Sequence, residues 1–333
     1  MVWALVCLAG GCDDDLRSTE TLLTGVAPAF LSVDDVFLYW SELDGGRSGP
    51  IKHVPKDNVH PATVKILGDG YAPVAVQGFV YATTTDDATL SLHRYAASQA
   101  RLTVGSFQGF GSRLATDGEN VYFSTFAFPT AVSQIWVQPG DGSRARLLVA
   151  DAHGQAGNLV AGGGEVYWTG DATRSTVPYG EKVGGVIRKV SSSGGAAVTV
   201  FESPFRLGAL ALDQQNLFFV TDEAEAVTLA NGVFASQFRR KIMKLVRQSG
   251  AIVPLVTTGH PSGLATDGAH VYWSDAAQGT VQRIPVGGGA VLTVAAVNDP
   301  RFVALDADYV YFTTANSSTG SILRQPKPRA ERP

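Results

Sequence analysis

GLATDGAHVYWSDA, residues 263–276, is the stretch of sequence that decides the fold of this chain. It runs from an apolar and a small residue, through a turn at Asp267 and Gly268, to the aromatic pair Tyr272 and Trp273. A phrase that occurs once is typical of a site, whereas a phrase copied at a fixed period is typical of a structural unit. Internal repeats therefore come first, because their period determines the architecture.

The phrase occurs in seven copies. Its first aromatic residue stands at Tyr39, Tyr81, Tyr122, Tyr167, Phe218, Tyr272 and Tyr311, at spacings of 39 to 54 residues. Each aromatic segment is followed by a third apolar segment, and in six copies by a turn and a fourth. Periods near forty residues with four short strands are typical of propeller blades.

The sequence therefore predicts an all-β protein, a seven-bladed β-propeller of four-stranded antiparallel blades, over residues 19–325. The seventh copy has no fourth segment and runs out into a tail at residues 326–333. Residues 19–25, TETLLTG, precede the first blade without a partner of their own. We expect this N-terminal strand to complete the last blade, because such closure leaves no open strand edge in the ring.

The copied residues are predicted to be structural rather than catalytic. Adjacent aromatic residues on a strand point to opposite faces, and both faces of a blade pack against neighbouring blades. Small residues such as Ala265 allow the inner strands to approach one another at the axis of the propeller. Asp267-Gly268 is a residue pair that favours a β-hairpin turn.

Tyr272-Trp273-Ser274-Asp275, with Leu264–Asp267 before it and Gly279–Arg283 after it, resembles the YWTD repeat of the low-density-lipoprotein-receptor class B type. The resemblance extends over nearly the whole chain beyond residue 19, although only the sixth copy has the full tetrapeptide. It implies a propeller of a kind commonly used to bind other proteins, and it implies no activity.

The N-terminus predicts export. Residues 1–12 form a short apolar run that ends in Gly10-Gly11-Cys12 and resembles a bacterial lipoprotein signal. We expect Cys12 to carry the lipid, residues 13–18 to form a tether, and the protein to be anchored in the bacterial cell envelope. The alternative is a cleaved secretory signal with an incidental cysteine.

Composition excludes several other classes of function. The formal net charge is −4 and no basic run occurs, which argues against nucleic-acid binding. No cofactor is expected. No metal site is expected either, since no histidine or carboxylate stands directly before the predicted inner strands, where the residues are Phe30, Pro73, Arg113, Asn158, Ala209, Gly263 and Phe302.

The main functional prediction is a non-enzymatic envelope lipoprotein, a binding or scaffold module for a protein or a glycan. It rests on long insertions at residues 170–185 and 222–241, because loops on a rigid scaffold often carry binding. Aromatic and arginine side chains are typical anchors of such surfaces, and the candidates on blades three to five are Phe126, Phe128, Arg174, Tyr179, Phe234, Phe238, Arg239 and Arg240. Alternatively, these phenylalanines pack into their own blades.

The competing prediction is a propeller hydrolase or lyase with its active centre at the mouth of the channel. Its candidate residues are Arg113, His153, Asn158 and His260, which lie in or next to segments that lead into inner strands. No nucleophile elbow, phosphate loop or paired metal-ligand motif accompanies them. If the protein is a binding module, Phe234→Ala with Phe238→Ala should abolish capture of the partner, and His153→Ala and His260→Ala should have no effect. The reverse pattern would favour the enzyme.

Overall fold

The computed structural model describes residues 18–42, 49–96, 101–111, 113–127, 132–151, 154–173, 182–228, 234–315 and 320–328. These residues form antiparallel β-structure with one 3-10 turn at Pro61–Thr63. Within these ranges, no helix has the length and apolar character needed to cross a membrane.

The strands are short and regularly spaced. The first eight are β1 (Glu20–Val26), β2 (Pro28–Val33), β3 (Phe37–Glu42), β4 (Gly49–Pro55), β5 (Lys65–Val76), β6 (Phe79–Asp86), β7 (Thr89–Ala96) and β8 (Leu102–Gln108). The next ten are β9 (Phe110–Gly111), β10 (Ala115–Thr116), β11 (Asn120–Ala127), β12 (Val132–Pro139), β13 (Arg146–Asp151), β14 (Leu159–Gly162), β15 (Glu165–Thr173), β16 (Lys182–Ser191), β17 (Val198–Ser203) and β18 (Arg206–Leu212). The last ten are β19 (Asn216–Thr228), β20 (Phe234–Val246), β21 (Ile252–Thr258), β22 (Pro261–Thr266), β23 (His270–Asp275), β24 (Thr280–Pro285), β25 (Leu292–Ala296), β26 (Pro300–Leu305), β27 (Tyr309–Thr314) and β28 (Gly320–Pro326).

Consecutive strands pair in chain order into antiparallel sheets of four. Strands β14–β17, β18–β21 and β22–β25 each form one sheet, and β10–β13 form another that β9 joins through β11. Strands β2–β8 make a seven-stranded sheet, because the first half of β5 pairs with β4 and its second half with β6. The predicted all-β architecture with four-stranded sheets is confirmed.

The N-terminal strand pairs with the last strand of the chain. The sheet order is β1-β28-β27-β26, and the register runs from Glu20 opposite Arg324 to Val26 opposite Gly320. An ion pair of 2.7 Å joins Arg324 to Glu20 within this pairing. The two ends of the described chain are thus held in one sheet.

The first strand of each four-stranded run neighbours the first strand of the next. Strands β2, β5, β10, β14, β18, β22 and β26 contact one another in this order, and β26 also contacts β2. Six of these strands, together with the two residues that precede β10, line a common cavity of 190 Å³, the channel cavity. Its apolar lining includes Leu31, Val74, Leu114, Leu159, Leu210, Leu264 and Val303.

The aromatic pairs fill the spaces between neighbouring sheets, as their alternation predicts. Trp273 packs with Phe218 and other residues of the preceding sheet, whereas Tyr272 packs with Phe312 of the following sheet. Both rings of this pair are almost completely buried. Burial of a ring on each face is worth several kcal/mol per copy by area, at roughly 25 cal/mol per Å².

The insertion at residues 222–241, expected to be a loop, is instead largely an extended β-hairpin. Strands β19 and β20 stay in register from Asn216 opposite Val246 to Thr228 opposite Phe234. Acidic residues of β19 face basic residues of β20, with ion pairs of 2.5 Å between Asp222 and Arg240 and of 2.6 Å between Glu223 and Lys241. These cross-strand ion pairs stabilise the pairing of the two strands.

Candidate functional site

A cavity of 610 Å³, the mouth cavity, adjoins the channel cavity and shares five residues with it. Its volume lies within the range of small-molecule sites, about 300–1,000 Å³. Its lining consists of Ala27, Pro28, Ala29, Phe30, Arg113, Asn158, Gly208, Ala209, His260, Pro261, Ser262, Arg301, Phe302, Thr314, Ala315 and Gly320.

Three residues of the predicted channel-mouth set meet in the mouth cavity. Arg113, Asn158 and His260 come from the segments that lead into β10, β14 and β22, respectively. They lie together because those three strands are inner strands of three different sheets. The fourth candidate, His153, falls outside the described residues.

His260 is held at the cavity by the last residue of the tetrapeptide in the opening stretch. The backbone N–H groups of Gly259 and His260 donate to the buried carboxylate of Asp275 at 2.8 and 2.9 Å. The hydroxyl of Thr258 donates to the same carboxylate at 2.6 Å. The loop before β22 is therefore fixed while the imidazole of His260 remains exposed.

These donors also keep Asp275 ionised. Burial by itself raises the pKa of a carboxyl group, but the hydrogen bonds from Thr258, His260, Gln278 and Gly259 outweigh it and lower the pKa of Asp275. A buried carboxylate with this many donors is a rigid anchor for the loop.

Ser274, the third residue of the tetrapeptide, fixes the part of the cavity wall where β22 meets β26. The hydroxyl of Ser274 donates to the carbonyl oxygen of Arg301 at 2.5 Å and accepts from the N–H of Gly263 at 2.9 Å. The guanidinium of Arg301 pairs with Asp299 at 2.8 Å. Ser274 thus ties β22 to the start of β26.

Arg113 lies against aromatic rings at the junction of the two cavities. Its guanidinium carbon is 5.1 Å from the ring centre of Phe30 and 5.5 Å from that of Phe302. Burial lowers the pKa of Arg113 and the nearby Tyr71 opposes this effect, yet an arginine in a protein remains protonated at neutral pH.

Two further polar groups face the same space. The side-chain amide of Asn158 donates to the carbonyl oxygen of Gly208 at 2.9 Å, and this bond fixes its orientation. The hydroxyl of Ser262 lies 3.4 Å from Nδ1 of His260. The cavity thus combines an imidazole, a hydroxyl, an amide and a guanidinium, which are groups able to move a proton and to stabilise an oxyanion.

The donor set of the mouth cavity does not fit a metal ion. Its described lining offers one imidazole and no carboxylate, whereas a hard divalent cation prefers several oxygen ligands. Across the described ranges, no group of three or more His, Cys, Asp or Glu side chains could hold a metal.

The structure describes the side chains of only three of the eight residues predicted for a binding surface on blades three to five. Phe126 is buried in β11, where its register partner is Phe110 of β9. Arg240 is engaged with Asp222, and Arg239 is exposed. The remaining candidates lie outside the described side chains, namely Phe128, Arg174, Tyr179, Phe234 and Phe238, as does Cys12.

Sequence reasoning missed Ser262, Arg301 and the anchoring role of Asp275. Ser262 and Arg301 each stand one residue before a position that the repeat pattern assigns to the channel, so the pattern contained a signal for them. Asp275 carries no such signal, because a repeated tetrapeptide is most simply interpreted as structural.

No protein-family model matches this sequence, and no curated protein is similar to it at a significant level. Several solved structures are similar in fold. The β-propeller domain of the Trilobed protease from Pyrococcus furiosus is 9% identical, with 91% of this chain and 99% of that chain covered and a TM-score of 0.65. An oligogalacturonate lyase in complex with manganese is 12% identical over 88% of this chain and 86% of that chain, with a TM-score of 0.62.

An acylaminoacyl peptidase is similar over 90% of this chain and 51% of that chain, with 10% identity and a TM-score of 0.63. The chain therefore spans about half the length of that peptidase. Together with the four-stranded sheets, these similarities show a β-propeller fold. The expected resemblance to YWTD proteins is confirmed only as far as the β-propeller fold.

The prediction of a non-enzymatic binding module is contradicted. The similar structures include oligogalacturonate lyases, a prolyl endopeptidase and acylaminoacyl peptidases, all of which are enzymes. Identities of 9% to 13% show the fold of this chain and do not establish its reaction.

Proposed function

We propose that the chain is a seven-bladed β-propeller in which β1 is the outermost strand of the last blade. Seven inner strands contact one another in order, and the last contacts the first, which supports this count. The pairing of β1 with β28 supports the closure. Joining the two chain ends in one blade protects the ring from opening.

The function we propose is that of a hydrolase or lyase whose active centre is the mouth cavity. One observation carries this proposal: Arg113, Asn158 and His260, from three different sheets, line a single cavity of 610 Å³. Residues so far apart in sequence meet there only because the inner strands converge. Convergent polar groups in an otherwise apolar pocket are the usual form of an active site.

The chemistry assigns a role to each side chain. The exposed imidazole of His260 is the acid–base group, and its loop is immobilised by Asp275. Asn158 and Arg113 donate hydrogen bonds to an oxygen that gains negative charge in the transition state. Ser262, beside His260, is the candidate nucleophile if the reaction is a hydrolysis.

The test is a panel of four substrate classes assayed with the purified protein. Short peptides and oligogalacturonates are chosen because peptidases and an oligogalacturonate lyase are similar in fold, and esters and lactones add other bonds that hydrolases cleave. A hydrolase releases an acid, whereas a lyase forms a carbon–carbon double bond that absorbs ultraviolet light. Turnover that is lost in His260→Ala supports the proposal, and no turnover on any of the four classes contradicts it.

We further propose that the chain is exported and lipid-anchored through Cys12 in a bacterial cell envelope. The apolar run and the small residues before Cys12 support this proposal. Release of Cys12→Ser from the membrane fraction is the expected result, and its full retention there contradicts the anchor.

A further inference from the structure

We propose that the ligand of the mouth cavity is an acyl compound whose unbranched apolar chain occupies the channel cavity. This inference rests on the proposed function and deepens it, because it assigns a substrate class to the same active centre. The chemical class is an ester or amide of a linear acyl group of medium length.

The two cavities adjoin where the inner strands begin. They have five lining residues in common, namely Phe30, Arg113, Asn158, Ala209 and Phe302. His260 and Ser262 line the mouth cavity and not the channel cavity, whereas Leu264 lines the channel cavity and not the mouth cavity. One ligand can therefore extend from the polar groups of the mouth cavity into the channel cavity.

The channel cavity is an apolar space. Apart from the five shared residues, its described lining carries no polar side chain other than that of Ser32. The hydroxyl of Ser32 is buried and has no hydrogen-bond partner in the described part of the chain. A buried water molecule needs several polar partners, so such a wall holds water weakly, and an apolar chain that displaces weakly held water gains free energy.

The dimensions of the channel cavity suit a chain better than a ring. Three consecutive residues line it on two of the strands, Phe30–Ser32 in β2 and Ala72–Val74 in β5, which corresponds to a depth of about 10 Å at roughly 3.3 Å per residue. A volume of 190 Å³ over this depth leaves a cross-section of about 20 Å², which matches a single unbranched chain. Since an apolar cavity of about 150 Å³ holds the six carbons of benzene, the channel cavity holds a chain of about eight carbons.

The head of such a chain lies among the polar groups of the mouth cavity. Asn158 belongs to both linings, so its side-chain amide stands where the chain meets its head group. On the mouth side, Oγ of Ser262 lies 3.4 Å from Nδ1 of His260. Polar groups at the end of an apolar space fit a carbonyl group, and for this reason the ligand is an acyl compound rather than a hydrocarbon.

The test is a calorimetric titration with methyl ketones that carry unbranched chains of increasing length. Methyl ketones present a carbonyl group and an apolar chain, but they have no bond that a hydrolase cleaves. We expect the dissociation constant to fall about fourfold for each added methylene group, which corresponds to burial at about 0.8 kcal/mol per methylene. The gain should stop at chains of about eight carbons, where the channel cavity is filled.

Ala209→Phe tests whether the chain enters through the junction of the two cavities. Ala209 lines both cavities and stands directly before an inner-strand residue of the apolar lining, the position that Phe30 and Phe302 occupy in two other sheets. The fold therefore accommodates a phenylalanine at this position. The variant should abolish the gain in affinity with chain length, because its ring fills the junction.

Val74→Ala is a second variant, with an effect in the opposite direction. Val74 lines the channel cavity and not the mouth cavity, so its truncation should let the affinity rise over longer chains than in the wild-type protein. Ala150→Phe is the control for an added ring, because Ala150 is exposed in β13 and lines neither cavity. It should keep the wild-type dependence on chain length. Circular dichroism checks that each variant is folded.

Three results would overturn the inference: no binding of the ketones by the wild-type protein, an affinity that does not change with chain length, or an unchanged dependence on chain length in Ala209→Phe. Should Ala209→Phe not fold, an unchanged chain-length limit in Val74→Ala takes the place of the third result. The proposed function can fail separately, since this titration needs no turnover. Affinity that rises with chain length, with no turnover on the four-class panel, would support the acyl site and contradict the enzyme. Turnover without binding of any ketone would do the reverse.

Discussion

At the scale of the residue, the aspartate of the repeated turn does more than shape the hairpin. In four copies its carboxylate accepts the backbone N–H three residues on and also the hydroxyl of the repeated tyrosine. The tyrosine bonds are 2.8 Å for Asp34 and Tyr39, 2.6 Å for Asp117 and Tyr122, 3.1 Å for Asp267 and Tyr272, and 2.9 Å for Asp306 and Tyr311. The second copy has Gln77-Gly78 instead, and the buried hydroxyl of Tyr81 has no hydrogen-bond partner among the described residues.

This difference gives a matched pair of variants. Tyr122→Phe removes a hydrogen bond to a charged acceptor and should lower the free energy of unfolding by about 1–2 kcal/mol. Tyr81→Phe removes a hydroxyl that is buried without a partner, so the free energy of unfolding should change by less than about 0.5 kcal/mol or rise. Urea denaturation of both variants measures the two effects. Equal destabilisation would show that the Asp117–Tyr122 bond contributes nothing specific.

At the scale of the element, the inner strands approach so closely that side chains are excluded at some positions. A Cβ atom on Gly263, in β22, would lie 2.8 Å from the carbonyl oxygen of Arg301 and 2.9 Å from the N–H nitrogen of Val303. Both of those atoms belong to the backbone of β26, which cannot move as a flexible side chain can. The contact connects the opening stretch to the strand that carries Arg301 and Phe302.

Gly263→Ala should therefore lower the free energy of unfolding by about 1–3 kcal/mol, as overpacking of a close contact does. Gly287→Ala is the control, because a Cβ atom there meets nothing within 4 Å. It lies in the turn between β24 and β25 and should be neutral within about 0.5 kcal/mol. Thermal or urea unfolding measures the change in the free energy of unfolding for the two variants. A neutral Gly263→Ala would mean that β22 and β26 are not in close contact.

At the scale of the whole molecule, the charge states of buried groups predict how stability depends on pH. Hydrogen bonds outweigh burial at Asp117, Asp275 and Asp306 and lower the pKa of each carboxyl group. Burial lowers the pKa of His53 and of His93. In both cases the folded state binds protons less readily than the unfolded state does.

Stability should therefore be nearly constant between about pH 7 and pH 9, and decline below the unfolded histidine pKa of about 6.5. It should fall more steeply below the unfolded carboxyl pKa of about 4 and continue to fall as pH passes through the depressed folded values. The urea midpoint measured from pH 8 to pH 3 checks this course. His53→Phe should flatten the first decline, since within the described ranges both ring nitrogens of His53 are buried without a hydrogen-bond partner. A urea midpoint that is higher at pH 4 than at pH 7 would contradict the lowered pKa values of these histidines and carboxyl groups.

Much of this architecture follows from periodicity alone, because six of the seven copies carry two adjacent aromatic rings that must be buried between sheets. The same logic predicted Arg113 and Asn158, since residues directly before inner strands must meet at the channel, whereas His260 was predicted from its place in a loop between two blades. The hairpin of residues 222–241 was not predictable in this way. Its alternating charges stabilise the pairing only through partners up to 18 residues away, so the local sequence is interpreted as a loop. The role of Asp275 was not predictable either, because it depends on hydrogen bonds from Thr258, Gly259 and His260, which lie 15 to 17 residues before it.

The most direct test of the central claim compares two exposed histidines on the substrate that the four-class panel identifies. His260 lines the mouth cavity, whereas His60 caps the 3-10 turn at Pro61–Thr63, where its Nδ1 accepts the N–H of Ala62. We predict that His260→Ala lowers kcat/KM by about 100-fold or more, as loss of an acid–base group does, and that His60→Ala leaves it unchanged. A kcat/KM for His260→Ala within about twofold of the wild-type value would contradict an active centre at the channel mouth.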